Sequence, residues 1–220
     1  MEINYSPSLM CVDLLNLRSE VENLANAGCT TYHIDVMDGN YVPNMALGLL
    51  DIKAIDSIST LPLEVHLMVT EPAKLLDLFD LKNVSTIFVH PESCTDLRRT
   101  LLKIKSMKKH PGIAINPNSS LSFLVETIDL VEAIIVMAVN PGYAGQKFIE
   151  TTYEKLQTVT EICTKYSCKA EILLDGSISD KNIKQLIEYG ATGFVLGTAG
   201  LFRDGNDYVA NLNHLKKVLK

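Results

Sequence analysis

A chain of 220 residues with 47% hydrophobic side chains has the size and make-up of one globular domain with a large core, and residues 1–220 are read as a single domain. Its formal net charge of −6, with lysines and arginines scattered, argues against nucleic acid as a partner, and apolar runs such as 133–139 are too short to cross a membrane. Five cysteines without CxxC spacing, and an opening Met1-Glu2-Ile3-Asn4-Tyr5 without the basic and apolar blocks of a secretion signal, point to a reducing cytoplasm.

Apolar, β-rich runs alternate with helical patterns from end to end. The first strand is predicted over 3–8 and a helix over 14–27, with Leu14, Leu17, Val21, Leu24 and Ala25 on one stripe and Gly28 as its C-terminal cap. A strand over 31–35 carries His33 and Asp35 on the same face, because strand side chains alternate, and runs into a turn at Asp38-Gly39-Asn40. The strand over 63–68 places His66 and Met68 on one face, and a helix follows over 73–81. The strand over 85–90 ends in His90, placed before Pro91-Glu92 where it could line a binding mouth although nothing in the sequence pairs with it, and the helix over 97–108 leads to His110, read like His214 as a helix-surface residue. Strands over 112–115 and 133–137 come next, the second followed by the glycine-bearing loop Asn140-Pro141-Gly142-Tyr143-Ala144-Gly145-Gln146, whose backbone N–H groups can hold an anion. After a helix over 153–165, the strand over 171–175 is buried by Ile172, Leu173 and Leu174 and ends in Asp175. Gly176 beyond it lets a ligand approach the backbone, and Ser179 and Asp180 are better placed than Asp175 to cap the helix over 181–188, which ends at Tyr189-Gly190. An eighth strand over 193–196 precedes Gly197-Thr198. Cys11, Cys29, Cys163 and Cys168 read as small buried or half-buried residues.

Eight strand–helix units in this length, without a GxGxxG after the first strand, favour an α/β chain closed into a TIM (β/α)8 barrel over an open doubly wound sheet. Such a barrel gathers the C-terminal ends of its strands at one face. His33, Asp35, His66 and Asp175 then converge on a metal site, a pair of acid/base groups, or both. Met37, Met68 and Met137 recur at three strand ends beside them as a polarisable, water-excluding wall. Gly176-Ser177 and Gly197-Thr198 follow the seventh and eighth strands, where barrels often hold a phosphate.

Ser6-Pro7-Ser8, the 33–44 stretch, His66-x-Met68-Val69, the 140–146 loop, Asp175-Gly176-Ser177 and Gly197-Thr198, in this order and over nearly the whole chain, closely resemble the ribulose-phosphate 3-epimerase family. The resemblance implies a TIM barrel that inverts carbon 3 of a small-molecule ketose phosphate with one divalent ion per subunit, commonly zinc, iron, manganese or cobalt. It makes His33, Asp35, His66 and Asp175 the metal ligands and Asp35 and Asp175 the acid/base pair. It makes Ser8, His66 and the three methionines substrate contacts, and Gly142, Tyr143, Ala144, Gly145, Gly176, Ser177, Gly197 and Thr198 a sugar-phosphate clamp. It also implies a homo-oligomer, dimer or hexamer. Pentulose-phosphate epimerases usually read Asp-Pro-Gly-Phe-Gly-Gly-Gln, Asp-Gly-Gly and Gly-Ser at the three loops, and the versions here look more like the allulose-6-phosphate 3-epimerase branch. Two readings compete. A phosphosugar lyase or decarboxylase on the same barrel usually sets a lysine among its strand-end acids, and no lysine follows Asp35. The other is a catalytically silent phosphosugar-binding barrel.

Overall fold

A computed structural model describes residues 3–203 and 207–219; Met1 and Glu2, part of the opening read for a secretion signal, lie outside the described residues. Strands β1 (Asn4–Pro7), β2 (Tyr32–Met37), β3 (Leu63–Met68), β4 (Val84–Val89), β5 (His110–Ile115), β6 (Ala133–Met137), β7 (Glu171–Asp175) and β8 (Gly193–Leu196) form one parallel sheet. Its order is β1-β8-β7-β6-β5-β4-β3-β2. The two outer strands of that order meet again through a parallel bridge between Ser8 and His33 and a 3.0 Å hydrogen bond from the Thr30 N–H to the Tyr5 carbonyl. The sheet is thus wrapped into a nearly closed TIM barrel. Among the described residues seven α-helices surround it: α1 (Leu17–Ala27), α2 (Leu49–Ile58), α3 (Leu97–Ser106), α4 (Ser122–Thr127), α5 (Thr152–Lys165), α6 (Ile183–Glu188) and α7 (Tyr208–Val218).

The period-two alternation of each strand sorts its side chains between two cores. Outward residues such as Ile134, Val136, Ile172 and Leu174 pack under the helices with Leu24, Ile104, Leu156 and Leu212. The barrel interior is divided. On the β4–β7 side it is filled by Phe88, Ala114, Ile135, Met137 and Leu173. On the β1–β3 side it is polar and buried: Asn4, Ser6, Ser8, His33, Asp35, Glu64 and His66. Buried polar groups persist only when hydrogen-bonded or paired, and these are tied together, Asn4 Nδ2 and Ser6 Oγ each donating to Glu64 at 2.8 Å and Ser8 Oγ to Asp35 at 2.6 Å.

Gly112 on β5 makes room for Phe88, since a Cβ there would lie 2.3 Å from the ring. Gly112→Ala overpacks this layer and is expected to lower stability by about 1–3 kcal/mol, measured by denaturant unfolding.

The strands over 63–68, 133–137, 171–175 and 193–196 have the bounds read from sequence. The helices differ more. Residues 14–16 form a separate 3-10 turn, because Asp13 accepts from the Leu15 N–H and from Asn16 Nδ2; Leu14 is exposed rather than part of the packed stripe. The helix expected over 73–81 is two 3-10 turns, Pro72–Lys74 and Leu76–Phe79, entered from Glu71 in the left-handed region at φ 55°. Leu76 and Phe79, three apart, still seal the barrel there. His110 opens β5 rather than lying on a helix, and its Nδ1 pairs with Glu132 at 2.6 Å; His214 is on α7. Asp180 does not cap α6: its carboxylate pairs with His214 Nε2 at 2.9 Å, and Asn182 Oδ1 takes the Ser179 N–H. Among the described residues no helix is long and apolar enough to cross a membrane.

Candidate active site

At the C-terminal ends of β1, β2, β3 and β7 the polar half of the barrel reaches the surface. His33 and Asp35 project inward from β2, two residues apart, and His66 from β3 is in register with Asp35. Asp175 ends β7. His33 Nε2 lies 3.3 Å from His66 Nδ1 and 3.5 Å from Asp35 Oδ1; His66 Nδ1 lies 3.6 Å from Asp35 Oδ1 and 3.8 Å from Asp175 Oδ2. One donor atom from each of the four lies within 4.8 Å of every other.

The shortest of these separations, 3.3 Å, is a cation's coordination edge, and the others are longer by a few tenths of an ångström or more. Nitrogen and oxygen ligands at about 2.0–2.1 Å around a tetrahedral ion stand roughly 3.3–3.4 Å apart. Two imidazoles and two carboxylates also suit zinc, iron, manganese and cobalt by ligand type. The four residues therefore fit a divalent cation.

The two carboxylates are tuned in opposite directions. Burial would raise Asp35, but the neighbouring His33 and His66, by charge and hydrogen bond, hold it well below the usual carboxylate range. Its second oxygen, Oδ2, accepts the Ser8 hydroxyl at 2.6 Å. Asp175 is raised, chiefly by burial and by the charge of Asp35, with His33 and His66 opposing. Burial pulls His33 down, yet Asp35 and Glu64 lift it to about 10. His90 falls well below the ordinary histidine value because it is fully buried and faces His66.

A cleft opens above the cluster. His33 and His66 lie beneath its floor, with no exposed surface, while Ser8, Asp35 and Asp175 form it. Met37, Met68 and Met137 stand round the floor, and Met10 and Cys11 also line the cleft. The far wall is Gly142, Tyr143, Ala144 and Gly145 from the β6–α5 loop, then Gly176 and Ser177 after β7 and Gly197 and Thr198 after β8. Gly176 has φ +114°, and a Cβ there would strike Val139 Cγ2 at 2.5 Å. Ser177, at φ 53°, holds a left-handed conformation that glycine adopts more easily. The β2–α2 loop meets the β6–α5 loop: Asn44 Nδ2 donates to the Gly142 carbonyl at 2.6 Å, and the Tyr143 hydroxyl to the Pro43 carbonyl.

Two buried groups stand behind the histidines: Glu64, to which sequence reasoning assigns no role, and His90, which is fully buried behind His66 rather than at the mouth. Glu64 Oε2 lies 3.8 Å from His33 Nδ1, and His90 Nε2 lies 2.8 Å from His66 Nε2. The available signal was strand alternation, which puts Glu64 in phase with His66 and His90 in phase with Thr86 and Phe88. The cysteines are buried or half-buried thiols, with burial pushing Cys11 up to about 11 and Cys29 up to about 12.

A model of the ribulose-phosphate 3 epimerase family matches residues 4–202. Ribulose-phosphate 3-epimerase of Helicobacter pylori strain J99 is 37% identical over 88% of this chain and 88% of its own. That of Bacillus subtilis is 33% identical over 90% of this chain and 91% of its own. Chloroplastic ribulose-5-phosphate-3-epimerase of Arabidopsis thaliana is 36% identical over 90% of this chain and 71% of its own. Among solved structures, phosphoribosyl anthranilate isomerase of Thermococcus kodakaraensis superposes with a TM-score of 0.69 at 12% identity, covering 100% of this chain and 99% of that one. That likeness is one of fold.

Proposed function

With the chain belonging to the ribulose-phosphate 3-epimerase family, and so being a carbohydrate-phosphate epimerase, we propose that it is a metal-dependent ketose-phosphate 3-epimerase acting through Asp35 and Asp175. The observation that carries this is the pair of carboxylates, pushed apart in proton affinity within one four-donor cluster on the floor of a cleft walled by glycine-bearing loops. Groups driven apart in this way take opposite roles in proton transfer.

His33, Asp35, His66 and Asp175 would hold the cation. When bound, a divalent ion supplies Lewis-acid stabilisation of negative charge developing on the substrate oxygens. The hydrogen on carbon 3 is α to the carbonyl at carbon 2. Asp35, ionised and oriented by Ser8, removes it from one face, leaving a planar enediolate. Asp175, the carboxyl more readily protonated, returns a proton to the opposite face. In the reverse direction the two exchange roles. Met37, Met68 and Met137 keep water from the intermediate. Gly142, Tyr143, Ala144, Gly145, Gly176, Ser177, Gly197 and Thr198 grip the phosphate, whose binding energy positions the reacting carbon.

The substrate is D-ribulose 5-phosphate, interconverted with D-xylulose 5-phosphate, in keeping with the names of the relatives. A second reading, conversion of D-allulose 6-phosphate to D-fructose 6-phosphate, is favoured by Ala144, Ser177 and Thr198, which stand along the far wall where pentulose-phosphate epimerases usually carry glycine or serine. The kcat/KM values on the two substrate pairs, measured side by side, decide between them; turnover on neither overturns the epimerase reading. Five free cysteines fit a reducing compartment such as the cytoplasm. A homo-oligomer would cover Leu15, Met45 and Leu50, exposed by 94%, 76% and 80% on the segments that follow the adjacent strands β1 and β2. Leu50→Glu is expected to lower the sedimentation coefficient toward that of a single chain.

A further inference from the structure

His66 faces the four-donor cluster through Nδ1 and turns Nε2 into the barrel wall, where it meets His90 Nε2 at 2.8 Å with both rings fully buried. Two nitrogens at that distance share one hydrogen, because two bare lone pairs repel and two N–H groups collide. If His66 supplies it, Nδ1 of a neutral His66 is a lone pair aimed into the cluster. If His90 supplies it, neutral His66 carries its hydrogen on Nδ1, pointing at Asp35 and Asp175 and unable to accept a cation. The tautomer of His90 therefore decides whether His66 can be a ligand.

The surroundings of His90 hold it still. Its backbone carbonyl accepts from the Ser93 N–H at 3.0 Å and the Ser93 hydroxyl at 2.9 Å. Its ring packs against Tyr41 with centroids 4.9 Å apart, and the Tyr41 hydroxyl accepts from Asn116 Nδ2 at 2.7 Å. An apolar side chain would pack against Tyr41 as well as an imidazole does, without placing an acceptor at Nε2 or calling for a polar group in so dry a place.

We infer that His90 is a positioning residue: it accepts the His66 Nε2–H bond, fixes that tautomer, and so presents His66 Nδ1 to the cation. The inference rests on the cation site proposed above. It places a partner behind the histidine ligand, where such groups set ring orientation and raise ligand basicity.

Nitrogen-15 NMR of the metal-stripped full-length chain, labelled at histidine, is expected to show the His66 hydrogen on Nε2 and the His90 hydrogen on Nδ1. Cobalt(II) titration against a competing chelator is expected to show His90→Leu binding about 10–100-fold more weakly than the parent protein. His90→Gln, whose side-chain oxygen can accept in place of Nε2, recovers most of that loss. A hydrogen on His66 Nδ1, or parental cobalt affinity in His90→Leu, overturns the inference. Should His90→Leu not fold, the NMR assignment and His90→Gln still decide it. A parent protein that takes up no cobalt overturns the cation site itself, while the NMR assignment separately decides the His66–His90 hydrogen bond.

Discussion

Asp175→Asn is expected to keep the barrel and lose epimerisation by about 10³-fold or more, since a positioned acid/base group is worth roughly 10²–10⁴ and Asp175 is also a proposed ligand. Asp175 sits at the end of β7 with its side chain 17% exposed, so removing its charge disturbs little packing. The sharper readout is proton exchange in deuterated water. With Asp35 intact, the epimer whose carbon-3 hydrogen faces Asp35 should still exchange that hydrogen while failing to invert. Asp35→Asn should show the mirror behaviour, exchanging only the other epimer. It should also be less stable, because Asp35 is buried with one oxygen accepting from Ser8 and the other facing His33 and His66, and an amide can accept on only one of those sides; a buried polar group left unsatisfied costs about 1–3 kcal/mol. Near-normal turnover in Asp175→Asn, or loss of exchange with both epimers in a single variant that still holds its metal, contradicts the two-carboxylate scheme.

Metal removal is the second large effect. Chelation is expected to lower kcat by about 10³-fold, the size of several kcal/mol of charge stabilisation, with recovery on adding zinc, cobalt or manganese. Reloading should release a proton. In the stripped protein His33, lifted to about 10 by Asp35 and Glu64 against the effect of burial, is protonated at neutral pH and must become neutral to bind. The sign follows: metal affinity rises as pH rises toward the His33 value and falls in acid. A calorimetric titration in buffers of different ionisation enthalpy checks this, and binding without net proton release contradicts it.

Most of the barrel was legible because strands buried on both faces leave continuous runs of Val, Ile and Leu, as in Ala133-Ile134-Ile135-Val136-Met137. The four-donor cluster was legible for a different reason. His33 and Asp35 share a strand face by alternation alone, and Asp175 is the single acid after three core residues. The short connections were harder. The region 73–81 has helical spacing, but Glu71-Pro72 and the two buried contacts of Leu76 and Phe79 fix it as 3-10 turns. The pairings of His90 and Glu64 stayed hidden because a buried polar residue is defined by its partner, here 24 residues away for His90–His66 and 60 for Glu64–Asn4, and no local pattern encodes that pairing. The division of the barrel interior into polar and apolar halves likewise emerges only when β1, β2 and β3 are set side by side.

The most direct measurement is anomalous diffraction from crystals of the cobalt-loaded protein. One cobalt per chain is expected, bound by His33 Nε2, His66 Nδ1 and the carboxylates of Asp35 and Asp175. A cobalt peak anywhere else, or those four side chains turned away from a shared centre, contradicts the account.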